Sequence, residues 1–170
     1  MAVRKVADPI LRITSVDHRS EDVARRLHAI RMLAYRQEAK LLGAIHFPPL
    51  ERTVGDVRAS SEEFCCACWD EEIVAALSTC PDREGGGVNV ASLVVHPDFQ
   101  RRGLGRALLS AAVAKHAGVE LTVRTGAGNE AVLALYGLFG FREYRRLWVG
   151  SEPLELVELR RPAEATHRPT

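Results

Sequence analysis

The stretch VNVASLVVHPDFQRRGLGRALL, Val88 to Leu109, decides the fold. Val88 to Val95 is mostly apolar and rich in β-branched residues, the composition of a buried strand. His96-Pro97-Asp98 ends that strand, because proline cannot donate to a sheet ladder and pushes its predecessor away from helix. Gln100-Arg101-Arg102-Gly103-Leu104-Gly105 then leads into a helical spacing through Leu104, Leu108 and Ala111. A strand, a basic glycine turn and a helix start together make an anion site. The first helical N–H groups lack intrahelical partners, and the helix dipole adds partial positive charge there.

Working outward, the 170 residues suit one domain with a single core. A hydrophobic fraction of 46% and a charged fraction of 26% are ordinary for a globular chain. The net charge of +1 provides no field to draw nucleic acid or a membrane surface, so neither is expected as a partner. No apolar run reaches bilayer-spanning length, and Met1 to Arg12 has no secretory apolar region, so the cytoplasm is the expected compartment. Cys65 and Cys68 satisfy C-x-x-C, but no second pair and no matching histidine accompany them. Strand alternation also points Cys65 and Cys68 to opposite faces. Free thiols and no metal site are expected.

The other elements follow from local signals. Met1 to Pro9 reads as a loose lead-in and Ile10 to Val16 as a first strand. Ser20-Glu21-Asp22 starts a helix with a capping hydroxyl and acids in its first turn, and Gly43 stops it. A short helix is expected within Leu50 to Arg58. Strands Glu63 to Trp69 and Ile73 to Thr79 form a hairpin, and Pro81 to Gly87 is a glycine-rich loop. The helix after the basic turn runs to about His116. Strand Val119 to Thr125, helix Glu130 to Phe139, and strands Phe141 to Val149 and Leu154 to Arg160 complete the domain, with a disordered tail over 161–170. The order β-α-α-β-β-β-α-β-α-β-β implies an α/β fold, a mixed sheet flanked by helices.

Two familiar phosphate loops fail on spacing. A Walker A loop needs Lys-Ser/Thr after its last glycine, where Arg106-Ala107 stands. A dinucleotide fingerprint needs a small residue at Leu108. The run Gln100 to Gly105 instead resembles the Q/R-x-x-G-x-G/A signature of the GNAT superfamily of N-acyltransferases. A second segment strengthens the resemblance: Asn129-Glu130-Ala131, then Leu135-Tyr136-Gly137-Leu138-Phe139-Gly140-Phe141, similar to the family's "N…A…LYxxxGF". The resemblance implies a mostly antiparallel central sheet in a single domain and acetyl-CoA as acyl donor. It implies that the amides of Gln100, Arg101, Arg102, Gly103, Leu104, Gly105 and Arg106 hold the pyrophosphate. Backbone groups of Leu93, Val94 and Val95, with Asn129, are then expected to meet the pantetheine arm.

Acetyl transfer from a thioester to an amine needs a proton acceptor, a donor to the oxyanion, and an acid for the leaving thiolate. The resemblance implies that Tyr136 is that acid. It leaves the base unassigned, because Asn89 stands eleven residues before Gln100, where many relatives carry glutamate. Glu71, Glu72, His46 and His96 are weaker alternatives. The family places the acceptor between Leu42 to Ser61 and Gly150 to Leu154, where Glu51, Asp56 and Glu152 offer negative charge. A small-molecule amine and a protein amine both stay open as acceptor. The last two strands offer an edge that a second copy could cover, giving a homodimer. A GNAT-fold module that binds acyl-CoA without turnover is the competing reading.

Overall fold

The computed structural model describes residues 11–151 and 154–164. Its strands are β1 (Leu11–Val16), β2 (Glu63–Trp69), β3 (Glu72–Pro81), β4 (Val88–Val95), β5 (Leu121–Gly126), β6 (Arg142–Val149) and β7 (Leu154–Arg161). Its helices are α1 (Glu21–Leu42), α2 (Val54–Ala59), α3 (Leu104–Lys115) and α4 (Glu130–Leu138), with 3₁₀ turns at Pro48–Glu51 and Pro97–Phe99. The strands form one sheet in the order β1-β2-β3-β4-β5-β7-β6. Only β4 and β5 pair in parallel; every other neighbouring pair is antiparallel. The expected single-domain α/β architecture is the one observed.

Helix α1 buries Ala24, Leu27 and Ile30, which recur at helical spacing. It ends at Gly43, whose φ of 62° is left-handed and whose N–H turns back to the Ala39 and Lys40 carbonyls. Ser20 stands at the N-cap, but its hydroxyl makes no capping bond; the first turn is favoured by Glu21 and Asp22 alone. Helix α2 carries a full capping box instead, with Asp56 N–H donating to Thr53 Oγ1 and Thr53 N–H to Asp56 Oδ2.

The sheet separates two cores. Under α1 and α2 lie Leu27, Val57, Phe64, Cys66 and Val94. Under α3 and α4 lie Leu77, Leu104, Leu108, Leu121 and Phe141. Each such large side chain contributes about 1.5–3 kcal/mol by leaving water. The four cysteines are free thiols. Cys66 and Cys68 enter the first core while Cys65 packs against the second, and burial pushes the Cys66 thiol up to about 12. Among the described residues no group of three or more His, Cys, Asp or Glu side chains could hold a metal ion. No described helix is long and apolar enough to cross a membrane.

Strand β4 departs from regularity where it matters. Ser92 pairs with Ser78 and Val90 with Thr79, so Ala91 has no β3 partner and is a bulge. The bulge reverses side-chain parity. Val88 and Val90, then Leu93 and Val95, pack toward α3 and α4, whereas Val94 packs under α1. Strand β5 pairs with β4 only from Val88–Leu121 to Val90–Val123. Beyond that point the strands part, and the β5-side edge of Ala91 to Val95 has no strand beside it. At the far side of the sheet β6 alone is the edge, because β7 lies between β5 and β6.

Candidate functional site

A cavity of about 400 Å³ occupies the gap between β4 and β5. It passes through the sheet. Tyr35 and Glu38 of α1 line one end, and Val132 and Tyr136 of α4 line the other. Side chains from opposite layers therefore reach one space only because the strands have separated.

At one end of the gap lies the turn before α3. Arg101 and Gly103 both adopt left-handed φ values, 60° and 77°. Glycine takes this conformation freely, while arginine takes it at a cost, and alternating turn conformations of this kind gather backbone N–H groups into an anion cradle. Ala107 N–H makes the first intrahelical bond, to Gly103 O at 3.0 Å, so the amides of Leu104, Gly105 and Arg106 have no partner within the helix. A Cβ on Gly105 would meet Leu135 at 3.4 Å and Val95 at 3.8 Å, ordinary contact distances, so the helix start packs against α4 and β4. Gln100 is held by a reciprocal amide pair with Gln37 of α1. Arg102 lies over the Phe99 and Trp69 rings, 5.0 and 5.6 Å from their centroids, so its charge is pinned beside the turn.

Asn129 caps α4 by accepting from Val132 N–H, and its Nδ2 donates to Glu38 Oε1 at 3.4 Å. It thus does what a helix cap does and also bridges the gap to α1. Tyr136 is 2% exposed, with its ring edge-on to Phe141 at 5.1 Å. Tyr136 lines the cavity. Burial, then the charge of Glu38, raises its ionisation well above the usual phenol range, so it stays a neutral donor.

Glu38 is the residue the sequence reading missed. It lines the cavity, and desolvation raises its pKa against the opposing effect of the Asn129 amide. Arg31, Tyr35, Glu38 and Leu42 follow at helical spacing, a stripe of α1 lying over the gap. Leu42 seals the far end, where a Cβ on Gly126 would sit 2.5 Å from its Cδ1. Arg31 seals the near end: its Nη2 donates to Glu62 at 2.6 Å, to Ser92 at 2.7 Å and to Ser78 at 3.1 Å. The signal in the sequence is an arginine and a glutamate on the core-facing side of an amphipathic helix.

The other base candidates lie elsewhere. Asn89 donates to Thr122 Oγ1 at 3.1 Å and lines a separate polar cleft with Asp82. Glu71 and Glu72 sit at the β2–β3 hairpin, His46 pairs with Glu51 at 3.3 Å, and His96 accepts from Asp98 N–H. None of them lines the cavity. Asp56 is spent on the α2 cap, and Glu152 lies outside the described residues. Of the strand residues expected at the cofactor, Leu93 lines the cavity, whereas Val94 is buried under α1 and Val95 packs toward α3.

The Acetyltransferase (GNAT) family model matches residues 24–141. The UPF0157 protein YqkA of Bacillus subtilis is 30% identical over 132 residues, 77% of this chain and 38% of that protein. The mycothiol acetyltransferase of a Nocardioides species is 35% identical over 137 residues, 72% of this chain and 46% of its own length. The chain thus spans less than half the length of these curated relatives. Among solved structures, the ribosomal-protein-S18-alanine N-acetyltransferase of Escherichia coli superposes with a TM-score of 0.71 at 20% identity, covering 95% of this chain and 99% of that one. The PaiA N-acetyltransferase of Thermoplasma acidophilum, solved with coenzyme A, gives 0.67 at 12% identity, covering 90% and 99%. At these identities the two structures establish a shared fold.

Proposed function

The chain belongs to the GNAT acetyltransferase family, and on that premise we propose that it is an N-acetyltransferase using acetyl-CoA as donor. The observation that carries the proposal is the gap between β4 and β5, where a cavity lined by the free strand edge at Ala91 to Leu93 and by Tyr136 opens, and where the same strand leads on into the left-handed turn before α3. These features fit the donor. The turn from Gln100 to Arg106 would hold its phosphates through backbone amides, with Arg101, Arg102 and Arg106 supplying charge. The unpaired edge of Leu93 to Val95 and the Asn129 side chain would meet its amide-bearing arm. When bound, the donor supplies an activated acyl group and a thiolate leaving group.

The chain's own part is to position and to move protons. Direct attack by an amine needs no enzyme nucleophile. The cysteines do not suit that role, since desolvation raises all four thiols. Tyr136 suits the leaving group because burial keeps it protonated and the cavity leaves its hydroxyl available. Four free thiols fit a reducing compartment, and we place the protein in the cytoplasm. The β6 edge is the surface offered to a second copy, although Arg145 and Arg146 ion pairs guard it.

The test is acetyl-CoA turnover against a panel of amines, followed by release of the coenzyme A thiol and by the mass of the product. Amine-dependent thiol release with a product heavier by one acetyl group is expected. Saturable acetyl-CoA binding without transfer to any amine would leave the binding-module reading in its place.

A further inference from the structure

We propose that Glu38 is the proton acceptor for an amine substrate whose body is compact and apolar, seated between the Pro48–Glu51 turn and the start of β7; this rests on the acetyl-transfer reading above. Two independent features of the cavity carry it. One is chemical polarity. The titratable or charged side chains lining it are Tyr35, Glu38, Arg124 and Tyr136. Tyr136 is assigned to the leaving group, and desolvation raises Tyr35 as well, so both phenols stay neutral. Arg124 is committed to Glu158. Among the described residues Glu38 is the one lining carboxylate, and its only hydrogen-bond partner there is the neutral Asn129 amide at 3.4 Å. A carboxylate without a cationic partner, set in a desolvated cavity, attracts an ammonium group and can then take its proton.

The other feature is the wall. From the α1–α2 connection come Phe47, Pro48 and Pro49, and from the last two strands come Val149, Leu154 and Leu156. All six are apolar. A polyamine would need a second anionic group for its second charge, and among the described residues this wall has none. A cavity of about 400 Å³, shared with the end of the donor, admits an alkyl or aryl group of a few carbons rather than a folded protein surface.

The step balances without another reagent. The nitrogen lone pair forms the N–C bond, and the C–S bond breaks with its electron pair going to sulfur. Before this, Glu38 takes the ammonium proton and releases it to solvent, which leaves the amine neutral and Glu38 ionised. In the transfer sulfur takes the Tyr136 proton, Glu38 takes the second proton from nitrogen, and passage of that proton through solvent from Glu38 to Tyr136 closes the cycle.

The experiment uses the full chain, acetyl-CoA, and hexylamine, 2-phenylethylamine, spermidine and an alanine-terminated peptide as probes. The two apolar amines should exceed spermidine and the peptide at least tenfold in kcat/KM. Glu38→Gln should lower kcat by about 10²–10⁴-fold. The acidic limb of the pH profile should vanish with it, while the acetyl-CoA dissociation constant stays unchanged. Leu154→Asp should raise KM for the apolar amines by roughly 10-fold or more, leaving the acetyl-CoA constant alone. Wild-type transfer to spermidine or the peptide in preference, or Glu38→Gln within threefold of wild type with its acidic limb intact, would overturn this inference and leave acetyl transfer standing. No transfer to any of the amines by the wild type would remove both.

Discussion

Two glutamates meet the same stripe of α1, and the protein uses them in opposite ways. Glu62 is 7% exposed and sits between Arg31 at 2.6 Å and Arg52 at 2.7 Å. Burial alone would raise its pKa, but the two guanidiniums and the hydrogen bonds around it hold the carboxyl down at about 2. Glu38 lies on the stripe between Tyr35 and Leu42, has among the described residues only an amide for hydrogen-bond partner, and is pushed up by the same desolvation. One charge is consumed in fastening α1 to β3 and β4. The other is left for a ligand. Two carboxylates that meet one helix stripe, one buried and one half-buried, are therefore told apart by their partners.

The largest expected effect comes from breaking the fastened side. Arg31 is 1% exposed and joins α1 to Glu62, Ser78 and Ser92. Removing one partner of such a buried pair costs about 3–5 kcal/mol. Arg31→Met should lower Tm by roughly 6–20 °C. Adding Glu62→Met should recover part of the loss, since it removes a buried carboxylate left with Arg52 as its one remaining charged partner among the described residues. If Arg31→Met melts with the wild type, the pair is not a fastening.

A smaller effect is expected at the roof. The Cβ of Gly126→Ala would overlap Leu42, whose side chain must shift. The overlap is with the ends of a half-buried, flexible side chain, so the cost should lie at or below the ~1 kcal/mol lower end for core overpacking. Leu42→Ala in the same chain should relieve most of it, and a double-mutant cycle on thermal unfolding measures the coupling.

Acid titration sharpens the contrast in sign. A carboxyl whose folded pKa is depressed stabilises the protein above its unfolded value, and that stability is lost as pH falls. For Glu62 the window runs from its ordinary value of 4.5 down to about 2. A carboxyl whose folded pKa is raised acts the other way, and its ionisation lowers stability as pH rises past the ordinary carboxyl range. Denaturant unfolding from pH 2 to 7 should show Glu62→Gln flattening the acidic slope. Glu38→Gln should be as stable as the wild type at pH 7, or slightly more so. A clear loss of stability in Glu38→Gln would mean that Glu38 too is structural.

Much of this was legible in the chain, and the illegible parts have common causes. Local signals placed the elements to within a residue or two. Gly43 and Gly140 end helices with φ of 62° and 83°, and the Gln100 to Gly105 segment is the turn before a helix that was expected. The Ala91 bulge was not foreseen, although the alternation of Val88 and Val90 fails at Leu93 and Val95. A bulge is defined by the partner strand, and no local propensity announces it. Glu38 was missed for a related reason. Helical periodicity marks only the apolar face of the first helix, and a carboxylate on it acquires meaning only where β4 and β5 part. The motif residues were legible because one continuous segment builds them; the base is not, because it comes from a helix on the opposite face of the sheet.

The central claim is that the gap between β4 and β5 is a place of acetyl transfer, with Tyr136 as its acid. It is tested most directly by comparing wild type with Tyr136→Phe, measuring kcat on an accepted amine and the acetyl-CoA dissociation constant by calorimetry. The phenylalanine keeps the ring against Phe141 and removes only the donor. The account predicts a fall in kcat of about 10²–10⁴-fold with the dissociation constant and Tm unchanged. Turnover within a few-fold of wild type, under conditions where chemistry limits the rate, would contradict it.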